Sequence, residues 1–464
     1  MAPLYEPILE RDAIRILSIK GWIRAEGIID CELNSVRLSE TPQYAALSYT
    51  WHSPFQSWSD RGQADANGDE EDAYVLCNGR RLRVFPNVHA AMCRLISAEG
   101  FGREYWIDAL CINQSDEDER SRQVDLMPEI FSQAKTVYVW LGPGSESLAD
   151  ALDLIETLCA IGDERKLIHP FTLEDERTRS LLRNEYHKAK YWQALAQFFC
   201  RRWFTRAWVV QEFLLARALT VLCGDHVVSW SNLETVSDFL ALSTWTKVFR
   251  ETMVLQLDGA RPYHNTPTKL RAAKFLVADP KDRNVLLYSL IRSRRFQCKD
   301  PRDKVFSVYG VARIASPPGT PIPKPDYAIG AGQAYHETAV SILGSSQDLL
   351  LLPYAEGERY RKETVQYPSW VTDWSIHDPI GLGRTGYTRF AADASDRPRF
   401  MELRNDQRVL AIEGPIFDTV EEIGGSKRED DDQERLLSWL KLVLHLPQVY
   451  STGESRLDVF FGRH

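Results

Sequence analysis

Short apolar runs separated by stretches of helical periodicity limit what this chain can fold into. They are Tyr44–Trp51, Glu104–Ile112, Thr136–Leu141 and Leu219–Cys223. An apolar run of that length, without strict alternation, suits a strand covered on both faces. Between the runs, Pro86 opens a helix reaching about Ile96. Val124, Met127, Ile130, Phe131 and Ala134 recur at helical spacing, and a further helix runs from about Ser147 to Ile161. Ser115 is placed to cap the segment that follows it. Pro128 lacks a backbone donor and should kink or restart its helix. Tyr191–Arg217 reads as one long or broken helix. Strands alternating with helices predict an α/β fold, a largely parallel sheet with helices on both faces. Asn78-Gly79 and Gly224-Asp225 predict β-hairpins added to it, because these residues accept the positive φ angles of tight turns. Residues 14–19 and 28–38 read as strands of an N-terminal β element.

A chain of 464 residues is too long for one ordinary domain. We divide it into an N-terminal β element packed on the core (1–39), an α/β domain (40–230) and a helical, mixed α+β C-terminal region (231–464). Within that last region a patterned unit runs from about 285 to 425, Val409–Gly414 reads as a strand and Glu434–Leu444 as a helix. Ser59–Asp72 is acidic and poor in apolar residues, which predicts a solvated, mobile loop. The net charge of −9, with no basic arm, argues against nucleic-acid binding. The N-terminus lacks the basic and apolar regions of a secretory signal. No apolar run approaches the ~20 residues of a membrane span, so the expected location is cytoplasmic. The cysteines form no CxxC pair and sit mostly in apolar runs, which predicts buried, reduced thiols. The histidines are scattered, so no metal site is expected. No G-x-G-x-x-G, P-loop or G-x-S-x-G is present, which removes support for a dehydrogenase, an NTPase or an α/β-hydrolase.

Longer motifs carry more. One is Tyr44-Ala45-Ala46-Leu47-Ser48-Tyr49-Thr50-Trp51. A second runs from Tyr105-Trp106-Ile107-Asp108-Ala109-Leu110-Cys111-Ile112-Asn113-Gln114 through Glu119-Arg120, Gln123-Val124 and Met127 to Val139-Trp140-Leu141-Gly142. A third is Arg202-Trp203-Phe204-Thr205-Arg206-Ala207-Trp208-Val209-Val210-Gln211-Glu212. Downstream come Asp300-Pro301-Arg302-Asp303-Lys304-Val305-Phe306, Pro325-Asp326-Tyr327 and Pro368-Ser369-Trp370-Val371-Thr372-Asp373-Trp374. In this order they closely resemble fungal heterokaryon-incompatibility (HET) domain proteins. Two departures stand out. His52 occupies a position where the family usually has glycine, and Pro128 one where it usually has a helix-compatible residue. The chain also ends where family members commonly continue, which reads as a short or truncated member.

The resemblance implies an effector of regulated cell death in fungal self/non-self recognition. It implies assembly through homotypic HET contacts and an upstream recognition partner. It also implies a remote likeness to Toll/interleukin-receptor (TIR) domains, which have a flavodoxin-like fold. Some TIR domains cleave NAD with a helical glutamate four residues after a tryptophan, and Trp208 and Glu212 have that spacing. NAD is then a substrate, with no further cofactor and no metal. On this reading Glu212 is the catalytic carboxylate. Ser48, Tyr49, Trp51, Asp108 and Asn113 are substrate-binding, because ligands of open α/β sheets lie beyond the carboxyl ends of the strands, and Trp208 is substrate-binding as a ring that, like Trp51, can stack on nicotinamide or adenine. Residues four apart on a helix share a face, so Trp208 and Glu212 would line one wall. Each residue also has a plainer role. Glu212 can pair with Arg206 or Arg202, Trp208 can be core, and Asp108 can cap a turn through Asn113. Cys111 lacks a histidine partner and reads as structural. Arg302-Asp303 and Asp373-Trp374 read as inter-segment salt bridges and packing, not chemistry. The alternative function is a non-catalytic signalling module.

Overall fold

The structure is a computed structural model. It describes residues 4–23, 28–55, 73–161, 176–242, 284–346, 349–355, 367–376, 400–413, 432–445, 448–449 and 455. The loop expected at Ser59–Asp72 lies outside the described residues, as do residues 456–464.

Strands β1 (Ala13–Ile23) and β2 (Ile28–Arg37) form an antiparallel pair. They are followed by β3 (Ala45–Ser48), the hairpin β4 (Ala73–Cys77) and β5 (Arg80–Val84), and helix α1 (Pro86–Glu99). Next come β6 (Glu104–Trp106), α2 (Asp108–Cys111), α3 (Glu117–Asp125), α4 (Met127–Gln133) and β7 (Val137–Trp140). Helices α5 (Leu148–Ala160), α6 (Glu176–Leu181), α7 (Ala189–Phe199) and α8 (Val209–Leu214) lead to the hairpin β8 (Leu219–Cys223) and β9 (His226–Val228), then to α9 (Trp230–Leu242).

The nine strands form one sheet in the order β5-β4-β2-β1-β6-β3-β7-β8-β9. Its centre, β6-β3-β7-β8, is parallel throughout. In chain order these strands are second, first, third and fourth, the beginning of the flavodoxin-like order. The flanks are antiparallel hairpins and β1 against β6, with β2 and β4 joined in parallel. The sheet is therefore mixed, with the expected parallel centre. Successive residues of a strand point to opposite faces. Val139 joins the core cluster that contains residues of α5, α7 and α8. Its neighbour Trp140 donates its indole N–H to Asn87 Oδ1 of α1 at 2.9 Å. Helices thus cover both faces, and all of β7 is buried.

Several local expectations hold for the reasons given. Asn78 and Gly79 both have positive φ, 49° and 72°, at the β4–β5 turn, and Gly224 has φ 54° at the β8–β9 turn. Pro128 sits in the first turn of α4, where its missing donor costs nothing, and it separates α4 from α3. Others need correcting. The Glu104–Ile112 run is a strand only to Trp106. From Asp108 the chain makes a helical turn, with Cys111 N–H bonded to Ile107 O at 2.7 Å. A short apolar run does not by itself separate strand from buried helix. Asp116, not Ser115, caps α3, its carboxylate accepting from Glu119 N–H at 2.9 Å. The Tyr191–Arg217 segment takes the broken form, one of the two expected, as α7, a 3-10 turn at Arg202–Thr205, and α8. The break has an external cause. Gln297 pairs with the chain there, accepting from Ala207 N–H at 2.8 Å and donating to Thr205 O at 2.5 Å. Arg206 is held extended between them, φ −71° and ψ 138°.

The N-terminal strands are fixed to the core by charge as well as by pairing. Arg15 of β1 makes a bidentate ion pair with Glu119 of α3, at 2.6 and 2.9 Å. Both side chains are buried, and Glu119 also accepts from Asn113 N–H at 2.7 Å. Gln123, one turn on, donates to Ala13 O at 2.9 Å. These contacts explain the Glu119 and Gln123 positions of the second motif.

By density of contacts the chain divides into two compact units, Met1–Arg397 with Leu403–Leu410, and Pro398–Glu402 with Ala411–His464. In the first unit, helices Val285–Ser293, Asp303–Ala315 and Ala331–Ser346 follow the sheet. Strands Phe400–Arg404 and Val409–Glu413 pair as a small hairpin, and the second unit contains helix Asp432–His445.

Candidate functional site

Residues beyond the carboxyl ends of β3 and β6 face a cavity of about 970 Å³. Thr50 and Trp51 follow β3, Asp108 follows β6, and Trp208 and Glu212 come from the chain that precedes β8. A second wall, far from β3 along the chain, is the segment 297–303 with Tyr327. It is placed by the Gln297 backbone pairing and by Phe296, which is buried in the core cluster.

Glu212 is 3% exposed and lies one helical turn after Trp208, with its N–H bonded to Trp208 O at 3.3 Å. Its Oε2 accepts the Ser48 hydroxyl proton and lies 3.5 Å from the Arg206 guanidinium. Ser48 is itself oriented by the Trp203 indole N–H, which donates to Oγ at 2.7 Å. All of these contacts use Oε2, so Oε1 is left without a hydrogen bond on a residue that lines the cavity. Burial raises the Glu212 carboxyl above its ordinary value; Arg206 and the Ser48 hydroxyl pull it down, and Asp108 adds to the rise. Arg206 also donates to Tyr49 O, which ties it to the end of β3.

Asp108 holds aromatic groups in place. Its Oδ1 accepts from the Tyr49 hydroxyl at 2.5 Å and from Ala109 N–H at 2.8 Å, and its Oδ2 from the Trp51 indole at 2.9 Å. Trp51 is half-buried on the cavity wall and stacks on Phe85, with ring centroids 5.8 Å apart. Tyr49 is buried, and burial pushes its phenol well above the ordinary value. Asn113 is not among the lining residues. Its carboxamide accepts from Ser115 N–H at 3.3 Å, a local turn. The structure therefore brings Trp51, Asp108, Trp208 and Glu212 to one cavity, with Ser48 and Tyr49 behind them and Asn113 aside.

Cys111 is fully buried, and burial pushes its thiol up to about 12, which removes it as a nucleophile. Among the described residues no group of His, Cys, Asp and Glu is arranged to hold a metal.

Reasoning from sequence assigned no site role to the far wall. Asp303, the first residue of helix Asp303–Ala315, accepts from the Tyr327 hydroxyl at 2.6 Å, and the Trp208 side chain is near enough to favour its charged form. Burial raises its carboxyl from 3.8 to about 6, against those neighbours. Arg302 does form the expected ion pair, but locally, with Asp300 at 2.6 Å. Asp300–Asp303 and Tyr327 belong to the distinctive downstream motifs. Their order could mark them, but nothing in a linear pattern places them in one cavity with Glu212.

The family model described as heterokaryon incompatibility protein (HET) matches residues 44–212. The chain is also similar to heterokaryon incompatibility protein 6, OR allele, of Neurospora crassa, with 26% identity over 463 aligned positions. That alignment covers 86% of this chain and 63% of the relative, so the chain spans less than two thirds of the relative's length. No solved structure matches. The matched segment begins just before β3 and ends on the cavity glutamate: the chain carries a heterokaryon-incompatibility (HET) domain.

Proposed function

We propose that this chain acts in heterokaryon incompatibility, as an effector of cell death in fungal self/non-self recognition, and that its HET domain hydrolyses NAD. The observation that carries the chemical part is Glu212. Its Oε2 is fixed by Ser48 and Arg206, while Oε1 has no partner on the wall of a large cavity. The N-glycosidic bond between nicotinamide and ribose breaks, and its electron pair leaves with nicotinamide, already a cationic leaving group. The ribosyl oxocarbenium ion that remains is stabilised by the Glu212 carboxylate, then takes up water and releases a proton to give ADP-ribose. Trp51, held by Asp108, and Trp208, beside Asp303, are flat surfaces on which the bases can stack. The cavity volume is at the upper end for small-ligand sites and suits a dinucleotide. The TIR resemblance of the Trp208–Glu212 spacing points the same way.

The second reading is a non-catalytic module that signals by homotypic assembly after an upstream partner triggers it. The nearby Arg206 favours it, since a buried carboxylate beside a guanidinium is also an ordinary structural pair. The purified full chain, incubated with NAD over a range of protein concentrations, separates the two. Nicotinamide is followed by chromatography and assembly by light scattering. Release that grows with assembly supports the hydrolase. Assembly without release leaves the module.

A further inference from the structure

Arg120 of α3 lines the same cavity, and no other motif position there is so poorly accounted for. The guanidinium lies 3.7 Å from the centroid of the Tyr327 ring. Its Nε is buried without a hydrogen-bond partner, and among the described residues the group makes no hydrogen bond or ion pair. The contrast with its neighbours is plain. Arg302 is satisfied by Asp300 and by the Ile329 carbonyl at 3.0 Å, and Arg206 by Tyr49 O and Glu212. An arginine that is half-buried, stacked and unpaired has lost hydration with only a ring contact in return. Such a group is poised for an anion brought in from outside.

We propose that Arg120, held on Tyr327, is the phosphate-binding residue of the cavity, and that the ligand is a diphosphate-bearing nucleotide. The inference rests on the reading that the cavity takes a dinucleotide, but it concerns binding and not cleavage. The Tyr327 platform is fixed by its hydroxyl on Asp303, whose carboxyl also feels the nearby Trp208 side chain. A connected path therefore runs from Arg120 through Tyr327 and Asp303 to Trp208, one turn from Glu212. Tyr327 and Asp303 lie outside the matched domain, so the chain after residue 212 completes the site. Asp300 and Asp303 both feel the Arg120 charge, but neither forms an ion pair with it: Asp300 is bonded by Arg302, and Asp303 accepts from the Tyr327 hydroxyl. A guanidinium offers two parallel N–H groups to phosphate oxygens, while aromatic rings on the same cavity take the bases.

The test is calorimetric titration of the full chain with ADP-ribose, which has the diphosphate but no bond left to cleave, and with nicotinamide riboside, which has no phosphate. The variants are Arg120→Met and Arg120→Gln, both of which keep a stem to pack on Tyr327. We expect ADP-ribose to bind the wild type and each variant to bind it roughly 10- to 100-fold more weakly, with nicotinamide riboside unaffected. Equal ADP-ribose affinity in whichever variant keeps the wild-type melting temperature overturns the proposal, as does a wild type that binds no ADP-ribose. ADP-ribose binding that depends on Arg120, with no nicotinamide released from NAD, leaves this inference standing and removes the hydrolase.

Discussion

The far wall of the cavity is held against the HET domain by a close helix crossing, and one glycine makes it possible. Gly310 lies mid-way along helix Asp303–Ala315. A methyl group added there would stand 2.1 Å from Pro128 Cγ and 2.2 Å from Gln211 Oε1. The Pro128 ring cannot yield, and the end of the Gln211 side chain can turn only within a packed interior. Pro128 is a rigid ring in the first turn of α4, and Gln211, 1% exposed, is on α8 next to Glu212. Gly310→Ala must therefore push the helix away from α4 and α8 by more than an ångström. Overpacking of this kind costs roughly 1–3 kcal/mol, and contacts this short place it at the upper end, about 3 kcal/mol. At about 2 °C per kcal/mol for a large unit, the melting temperature should fall by about 6 °C. The same displacement moves Asp303, so ADP-ribose affinity should fall with it. Gly344 is the internal control. It is exposed on helix Ala331–Ser346 with open space around its Cβ position, so Gly344→Ala should gain about 0.5–1 kcal/mol from helix propensity alone. Scanning calorimetry on the two variants checks both signs. A Gly310→Ala protein that melts with the wild type would refute the close crossing, and with it the placement of the far wall.

Glu119→Ala should leave Arg15 buried without its carboxylate and cost about 3–5 kcal/mol, read as a lower denaturation midpoint; Arg15→Met with Glu119→Leu should recover most of that loss, and failure to recover would show that the pair is not the cause. Asp303 holds its proton more tightly folded than unfolded, so the stability it contributes is present below 3.8 and is lost as pH rises through about 6. Asp303→Asn should accordingly gain on the wild type between about pH 4 and pH 7, by at most about 3 kcal/mol at ~1.4 kcal/mol per pH unit. Parallel pH–stability curves for the two proteins would contradict the raised carboxyl.

The parallel centre of the sheet was legible because β3, β7 and β8 are apolar on both faces and need no partner to be recognised. The hairpins at Asn78-Gly79 and Gly224-Asp225 and the restart at Pro128 were legible for the same reason: each is decided by backbone chemistry within a few residues. The end of β6 was not, since Ile107–Ile112 is apolar whether extended or helical, and only the local hydrogen bonds of Asp108 and Ile107 choose. The near wall of the site followed from Trp208, Glu212, Ser48 and Asp108, all within the recognised motifs. The far wall did not. It depends on Gln297 pairing with Thr205 and Ala207 and on Gly310 meeting Pro128, contacts between residues far apart in the chain. No periodicity reports such contacts. Asn113 illustrates the opposite error: a residue at the right place in a motif whose side chain serves a turn.

The proposed role of the Glu212 carboxylate is to stabilise a ribosyl cation. It is tested most directly by nicotinamide release from NAD and thermal melting, measured on wild type and Glu212→Gln in parallel. Glutamine keeps the size and can still accept from Ser48, but it has no charge. The account predicts a fall in kcat on the order of a hundredfold or more, about 3 kcal/mol, with the melting temperature little changed. The contrary result is a wild type that assembles yet releases no nicotinamide, paired with a Glu212→Gln protein that loses about 3–5 kcal/mol of stability because Arg206 is left unpaired. Glu212 would then be a structural residue, and the HET domain a module that signals by contact.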